Sequence, residues 1–287
     1  MRTLLFVPGD RPDRIVKALA IDADAIAIDL EDAVVDDAKE GARDLVVDAL
    51  TAVRAPVATE VFVRINALDT RWAEKDLSAL ISIAGRGGHL AGVIVPKIQS
   101  PADVRRVDRT LSAAPGTAGL VLLPIVETAR AVLNSPAIAA AAARVRTLLF
   151  GTLDLAGELR VTPTVEGREL LHARSQVVLA TAAAGLPGPL DGPYPALNDT
   201  DGLTRSSLAA RGLGFTGRVV LHPRQLDPVR VAFSASATEL DRAREVVTAF
   251  RRAQDGGVGA IQLIDGTFVD RPVVTRALAL LGSEVSR

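Results

Sequence analysis

Short aliphatic and β-branched runs alternate with Ala-, Leu- and Arg-rich stretches along most of the chain. The runs at residues 3–7, 25–30, 60–65, 92–96, 120–126 and 147–150 are continuously apolar rather than alternating, and two shorter ones lie near 189–191 and at 218–222. A strand covered on both faces of a parallel sheet reads this way. Helices are predicted between them at 11–20, 39–51, 73–85, 101–113, 128–143, 168–184 and 200–212. Eight strands separated by helices predict an α/β fold of the (β/α)8 TIM-barrel type. A doubly wound sheet is the main competitor. Against it, no G-x-G-x-x-G turn follows an early strand and no Walker sequence occurs.

Beyond residue 235 the pattern changes. Residues 239–252 predict a helix with Ala243, Val246, Val247 and Phe250 on one face. Gln254-Asp255-Gly256-Gly257-Val258-Gly259 is a flexible joint, and 261–269 predict a hairpin turning at Asp265-Gly266. Pro272 opens a last helix. The chain thus divides into a barrel, 1–235, and a helix–hairpin–helix appendage, 236–287, of the kind that serves as a lid or an oligomer contact.

Composition narrows the functional classes. With 48% hydrophobic and 23% charged residues, the 287-residue chain is globular rather than disordered. Lys and Arg number 33 against 34 Asp and Glu, so no basic field exists to attract nucleic acid. The absence of cysteine excludes disulfides, thiolate metal sites and a cysteine nucleophile, and it suits a reducing cytoplasm. No apolar run approaches the ~18 residues of a membrane span. The opening Leu4-Leu5-Phe6-Val7 run is too short for a signal peptide.

In a barrel, chemistry collects at the C-terminal ends of the strands. Glu127 and Asp154 stand there on neighbouring strands, each after a strongly apolar run. Two unpaired carboxylates close together repel, and a hard divalent cation removes the conflict. Mg²⁺ takes one or two protein carboxylates and leaves its other positions to water and substrate oxygens. The plainer alternative is that each carboxylate caps the helix behind it. Arg64 interrupts the apolar run Phe62-Val63-Arg64-Ile65 and must face either a partner or the barrel mouth. Its planar fork suits a carboxylate or enolate oxygen, or a buried ion pair with Glu31 or Asp32, and the two roles are compatible. Asp29, Glu31 and Asp32 are expected to orient waters on the cation and to hold Arg64 or Lys97. For Asp32 a solvated loop is the alternative. Lys97 is the only strand-end lysine and so the only Schiff-base candidate, but acidic neighbours favour its charged form. His89, His172 and His222 show no metal-ligand spacing, and His222 before Pro223 reads as a hydrogen-bonded structural residue.

At these residues the sequence resembles the citrate lyase β-subunit-like family of CoA-ester lyases, within the wider HpcH/HpaI aldolase group. The resemblance runs through Leu4-Leu5-Phe6-Val7-Pro8-Gly9-Asp10-Arg11-Pro12, Asp29-Leu30-Glu31-Asp32-Ala33-Val34, Val63-Arg64-Ile65-Asn66 and Val95-Pro96-Lys97. It continues through Ile125-Val126-Glu127-Thr128-Ala129, Phe150-Gly151-Thr152-Leu153-Asp154-Leu155, Asp191-Gly192-Pro193-Tyr194 and His222-Pro223-Arg224-Gln225. Order and spacing together make it specific. The resemblance implies a TIM barrel that forms a trimer or dimer of trimers, with Mg²⁺ on Glu127 and Asp154. It implies that Arg64 binds the oxygens of a 2-oxo acid. It also implies that an Asp in a neighbouring subunit's C-terminal lid serves as acid and base. The matching stretch is Thr267-Phe268-Val269-Asp270-Arg271-Pro272, which gives that role to Asp270. Phe268 stands where the family often has Met, a change that leaves the carboxylate in place.

The expected reaction is cleavage, or the reverse condensation, of a 3-hydroxy-carboxyacyl-CoA into a 2-oxo acid and acetyl-CoA or a related acyl-CoA. Arg11 and Arg14 are the candidates for the CoA phosphates. The resemblance does not separate citryl, malyl, citramalyl or hydroxymethylglutaryl thioesters. Two other readings stay open: a class II aldolase acting on a free hydroxy-oxo acid, and a lyase subunit acting on an acyl-carrier-protein thioester within a larger complex.

Overall fold

Side chains alternate across a strand, and here both faces are apolar for different reasons. The strands β1 (Thr3–Pro8), β2 (Ala25–Asp29), β3 (Glu60–Arg64), β4 (Gly92–Val95), β5 (Val121–Val126), β6 (Leu149–Phe150), β7 (Leu190–Asp191) and β8 (Gly217–Val220) pair in parallel in chain order. β8 returns to β1, so the barrel closes and no edge is left. One set of positions, including Leu4, Ala27, Phe62, Ile94, Leu123, Leu149 and Val219, fills the interior. The alternate set, including Leu5, Ile26, Ile28, Val61, Val63 and Val93, packs outward under the helices. That two-sided burial is why the strands read as unbroken apolar runs. Gly92 is required where β4 meets β5, because a Cβ there would stand 2.3 Å from the Val121 carbonyl oxygen.

The computed structural model describes residues 1–52, 59–164 and 166–285 and divides into two compact units, Met1–Phe233 and Ser234–Arg287. In the first unit the barrel is wrapped by α1 (Pro12–Leu19), α2 (Lys39–Ala52), α3 (Ala73–Gly85), α4 (Pro101–Ser112) and α5 (Ala129–Ala139). α6 (Thr152–Leu159), α7 (Leu171–Ala183), α8 (Thr200–Leu213) and α9 (Leu226–Phe233) complete the ring. Two of these, α6 and α9, have eight residues each and are absent from the sequence reading. α6 begins after Gly151, which offers no capping side chain, and it contains Gly157, so neither a start signal nor a strong helical pattern marks it. α9 carries Pro228 in its first turn, which reads as a breaker but is tolerated there.

The second unit begins with α10 (Ala237–Asp255), two residues earlier than the periodicity suggested. A capping box explains the difference: the Glu239 N–H donates to Ser236 Oγ at 3.2 Å, and the Ser236 N–H donates to Glu239 Oε2 at 2.8 Å. The hairpin β9 (Ile261–Gln262) and β10 (Phe268–Val269) is antiparallel and turns through Gly266 at φ +85°. With α11 (Arg271–Val285), these elements share a small core of Ala243, Val246, Val247, Phe250, Leu263, Val269, Val274 and Ala277.

Candidate active site

Phe62 points into the barrel, so Arg64, two residues on, does too, and it emerges at the C-terminal mouth. Its guanidinium lies over the Phe6 ring, 5.0 Å from the centroid. Nε and Nη2 donate to the two oxygens of Asp29 at 2.7 and 2.6 Å, and Nη1 pairs with Glu31 Oε2 at 2.7 Å. Of its five N–H groups three are committed, leaving one on each Nη. Burial alone would push Arg64 down, but Asp29 and Glu31 outweigh it and hold the side chain firmly cationic. Asp29 is saturated: it also accepts the Glu31 N–H at 2.9 Å and the Ala33 N–H at 3.0 Å. Its role is therefore to hold Arg64 and the loop after β2.

Glu31 is buried, which raises its pKa, and Arg64 and Lys97 oppose the rise. Lys97 Nζ pairs with Glu31 Oε1 at 2.8 Å and with the exposed Asp32 at 3.4 Å. Partial burial would lower Lys97, but the Glu31 hydrogen bond and the surrounding acids dominate and push it well above the ordinary lysine range. The two carboxylates on the ammonium favour its charged form over the neutral amine that imine formation needs.

Glu127 follows Ile125 on the inward face of β5 and is buried. It does not cap α5; Thr128 does, accepting the Ala131 N–H at 3.1 Å. Glu127 Oε1 instead accepts the Lys97 N–H at 2.7 Å. Burial first, and Asp154 second, push Glu127 up to about 8, with the Lys97 N–H opposing. Asp154 lies in the first turn of α6 rather than on the end of β6. It and Glu127 line one cavity of about 200 Å³, with Phe6, Arg64, Asp32 and Thr152. Gly151 makes room for this arrangement, since a Cβ there would lie 2.6 Å from Glu127 Oε2.

This donor set fits Mg²⁺. Two carboxylates line one cavity, and burial first and the neighbouring Asp154 second raise the pKa of Glu127, a cost that a bound divalent cation would remove. Among the described residues no cluster of three or more His, Cys, Asp or Glu side chains could hold a metal ion. A cation on this pair therefore keeps positions for water and substrate oxygens, as Mg²⁺ characteristically does. The N-terminus of α6 opens at the cavity: Gly151 offers no capping side chain, and Gly151, Thr152, Leu153 and Asp154 line it.

Other strand-end residues lie elsewhere. Asp191 pairs with the buried Arg174 and Arg218, beneath the helix layer rather than in the cavity. His222 is structural, accepting the Arg224 N–H at 3.2 Å through Nδ1. Arg11 and Arg14 are exposed near the start of α1, and Arg11 faces Asp13 at 3.4 Å. In the second unit, Asp270 Oδ1 accepts the Val273 N–H at 3.3 Å at the start of α11. Phe6 and Thr152 are missing from the sequence-derived site. The inward alternation after Leu4 marks Phe6, and its place between Gly151 and Asp154 marks Thr152.

The HpcH/HpaI aldolase/citrate lyase family matches residues 2–223. Citrate lyase subunit beta of Leuconostoc mesenteroides subsp. cremoris is 33% identical over 284 residues, 96% of this chain and 90% of that protein. A (3S)-malyl-CoA thioesterase of Cereibacter sphaeroides (strain ATCC 17025 / ATH 2.4.3) is 34% identical over 284 residues, 99% of this chain and 94% of that one. Among solved structures, protein CitE from Mycobacterium tuberculosis, in complex with magnesium, acetoacetate and coenzyme A, superimposes with a TM-score of 0.79 at 33% identity. The match covers 98% of this chain and 96% of that one.

Proposed function

The chain belongs to the HpcH/HpaI aldolase/citrate lyase family, and from that premise we propose that it is a Mg²⁺-dependent CoA-ester lyase. Its reaction is the cleavage of a 3-hydroxy-carboxyacyl-CoA to a 2-oxo acid and acetyl-CoA or a related acyl-CoA, or the reverse condensation. The observation that carries this reading is the convergence of Glu127, Asp154 and Arg64 on one cavity.

Glu127 and Asp154 would hold the ion, which supplies Lewis acidity and a template for the oxo-acid oxygens. The two uncommitted N–H groups of Arg64 stabilise charge on the reacting oxygen, at about 3–4 kcal/mol per well-placed donor. The α6 N-terminus receives the oxo-acid carboxylate. In cleavage the substrate hydroxyl gives its proton to a solvent water as the carbon–carbon bond breaks. The bonding pair passes to the α-carbon of the thioester as an enolate, which Asp270 of a neighbouring copy protonates, taking a proton back from solvent. Such general acid–base work contributes about 10²–10⁴-fold. Arg11 and Arg14 take the CoA phosphates. A homotrimer or dimer of trimers, the assembly the resemblance implies, would let copies share the site. No described helix is long and apolar enough to cross a membrane, and we place the reaction in the cytoplasm.

The relatives named citrate lyase subunit beta favour a second reading, in which the chain works inside a larger complex on a carrier-protein thioester. One experiment tests both. The purified protein with Mg²⁺ is given citryl-, malyl-, citramalyl- and hydroxymethylglutaryl-CoA, and acetyl-CoA, free CoA and the oxo acid (a 2-oxo acid from the first three, a 3-oxo acid from the last) are measured. Release of acetyl-CoA with an equal amount of oxo acid is expected. Release of free CoA alone points to thioester hydrolysis, and inertness toward every CoA ester removes the lyase-alone reading.

A further inference from the structure

Lys97 adopts a backbone conformation foreign to its residue type. It has φ +50°, and the only other non-glycine residue with positive φ among those described is Arg160. Arg160 is the C-cap of α6, where a left-handed residue is an ordinary way to end a helix. Lys97 ends no helix. It follows β4 and Pro96, on the loop that leads to α4. A side chain with a Cβ is disfavoured in this region, and such residues persist where the surroundings hold them.

Two bonds made by this one residue explain the conformation. Its N–H donates to Glu127 Oε1 at 2.7 Å, and its Nζ pairs with Glu31 Oε1 at 2.8 Å. φ is the rotation about the N–Cα bond, so it sets the torsion between the N–H and the side chain. The N–H commits one oxygen of Glu127 and leaves Oε2 on the side of Gly151, at the start of the helix that carries Asp154. At the other end, the Glu31 that Lys97 holds is also the partner of Arg64 Nη1. Glycine would supply the turn without the ammonium, and Glu31, buried between two cations, needs that charge.

We infer that Lys97 is a positioning residue whose left-handed turn aims the Glu127 carboxylate at the cation while its ammonium, through Glu31, holds Arg64 toward the substrate. This rests on the proposed role of Glu127 as a cation ligand. The two functions of Lys97 separate by substitution. Gly and Asn adopt positive φ readily, so Lys97→Gly and Lys97→Asn keep the turn and its N–H and lose the ammonium. Valine is β-branched and resists positive φ, so Lys97→Val loses both.

The test measures Mg²⁺ affinity by calorimetry for the wild type, these three variants and Glu127→Gln, with steady-state kinetics and a thermal melt for each. K97G and K97N are expected to bind Mg²⁺ as tightly as the wild type or more so, because removing a nearby positive charge favours a cation. Their kcat should fall by about tenfold, with Mg²⁺ affinity kept, as Arg64 loosens from the reacting oxygen. K97V is expected to bind Mg²⁺ about 10–100-fold more weakly. A lysine acting only through its charge gives the opposite sign for K97V, whose affinity would match or exceed the wild type, and that result overturns the inference. So does loss of Mg²⁺ binding in K97G as complete as in Glu127→Gln, and this outcome can be read even if K97V fails to fold. The reading beneath it fails separately: if Glu127→Gln binds Mg²⁺ as the wild type does, Glu127 is no ligand and both statements fall.

Discussion

Asp29 and Arg64 are register partners on adjacent strands, β2 and β3, and they meet in a bidentate pair at 2.7 and 2.6 Å. The fork is fixed at both ends, because Asp29 also accepts two backbone N–H groups and Arg64 is braced by Glu31 and the Phe6 ring. Arg64 thus arrives at the cavity already aimed, which is what electrostatic stabilisation of a developing oxyanion requires.

Arg64→Lys should therefore be severely impaired although it keeps the charge, since a lysine cannot reproduce the fork. A loss of about 10²–10³-fold in kcat is expected. Asp29→Asn leaves Arg64 with a weaker partner at a buried position and should also destabilise the fold by roughly 3 kcal/mol. Kinetics and denaturant melts check the two effects, and near-wild-type turnover in Arg64→Lys would count against the role of the fork.

The barrel was legible because strands buried on both faces are written as uninterrupted aliphatic runs. Arg64 and Glu127 were legible for the complementary reason: a charge at the end of such a run has few places to go. The partner of Arg64 was only half legible. The cluster of Asp29, Glu31 and Asp32 was expected to hold Arg64 or Lys97, but the direct ion pair was assigned to Glu31 or Asp32, whereas the bidentate partner is Asp29 and Asp32 turns to Lys97. Period-2 alternation already put Asp29 and Glu31 on one face, but the pairing needed the β2–β3 register, which is set by how the crossover through α2 returns the chain rather than by local pattern. Asp191, although it ends β7, is not a mouth residue, because it takes the outward position and pairs with Arg174 and Arg218. The turn at Lys97 was invisible, since nothing about a lysine announces a positive φ.

Magnesium should be required for turnover, and Glu127→Gln and Asp154→Asn should each abolish it while leaving the melting curve cooperative. Full activity in excess EDTA would contradict the two-carboxylate site. Gly151→Ala should mimic these losses in part: its Cβ would stand 2.3 Å from the Glu127 Cβ, forcing the carboxylate away. A drop of about 10–100-fold in Mg²⁺ affinity is expected, read by calorimetry.

Glu127 also predicts how the metal-free protein responds to pH. Burial and Asp154 raise it from 4.5 to about 8. Between those values the folded protein keeps a proton that the unfolded chain has released. Stability in EDTA should therefore fall as pH rises through this window, with the destabilisation absent below it and complete above it. The cation needs the ionised carboxylate, so stabilisation by Mg²⁺ should grow over the same range. Glu127→Gln removes the proton and should flatten that part of the profile. Identical pH slopes of Tm in EDTA for wild type and Glu127→Gln would refute the raised value.

Asp270 stands beyond the barrel, after the glycine joint and the hairpin, in a unit with its own small core. If that unit serves a neighbouring copy, two differently disabled chains should rescue each other. Asp270→Asn is suitable as one partner because asparagine can still accept the Val273 N–H at the start of α11, so the helix remains capped. Glu127→Gln is suitable as the other because it keeps the size and shape of the side chain. Each alone should be nearly inactive. Mixed and reassociated, some sites then combine an intact barrel from the Asp270→Asn chain with an intact Asp270 from the Glu127→Gln chain, and part of the activity should return. If Asp270 serves its own barrel, every site in the mixture carries one defect and no activity returns. Labelled subunits establish that exchange has taken place. An inactive mixture with proven exchange, or full activity in a wild-type monomer, would show that the site is not shared.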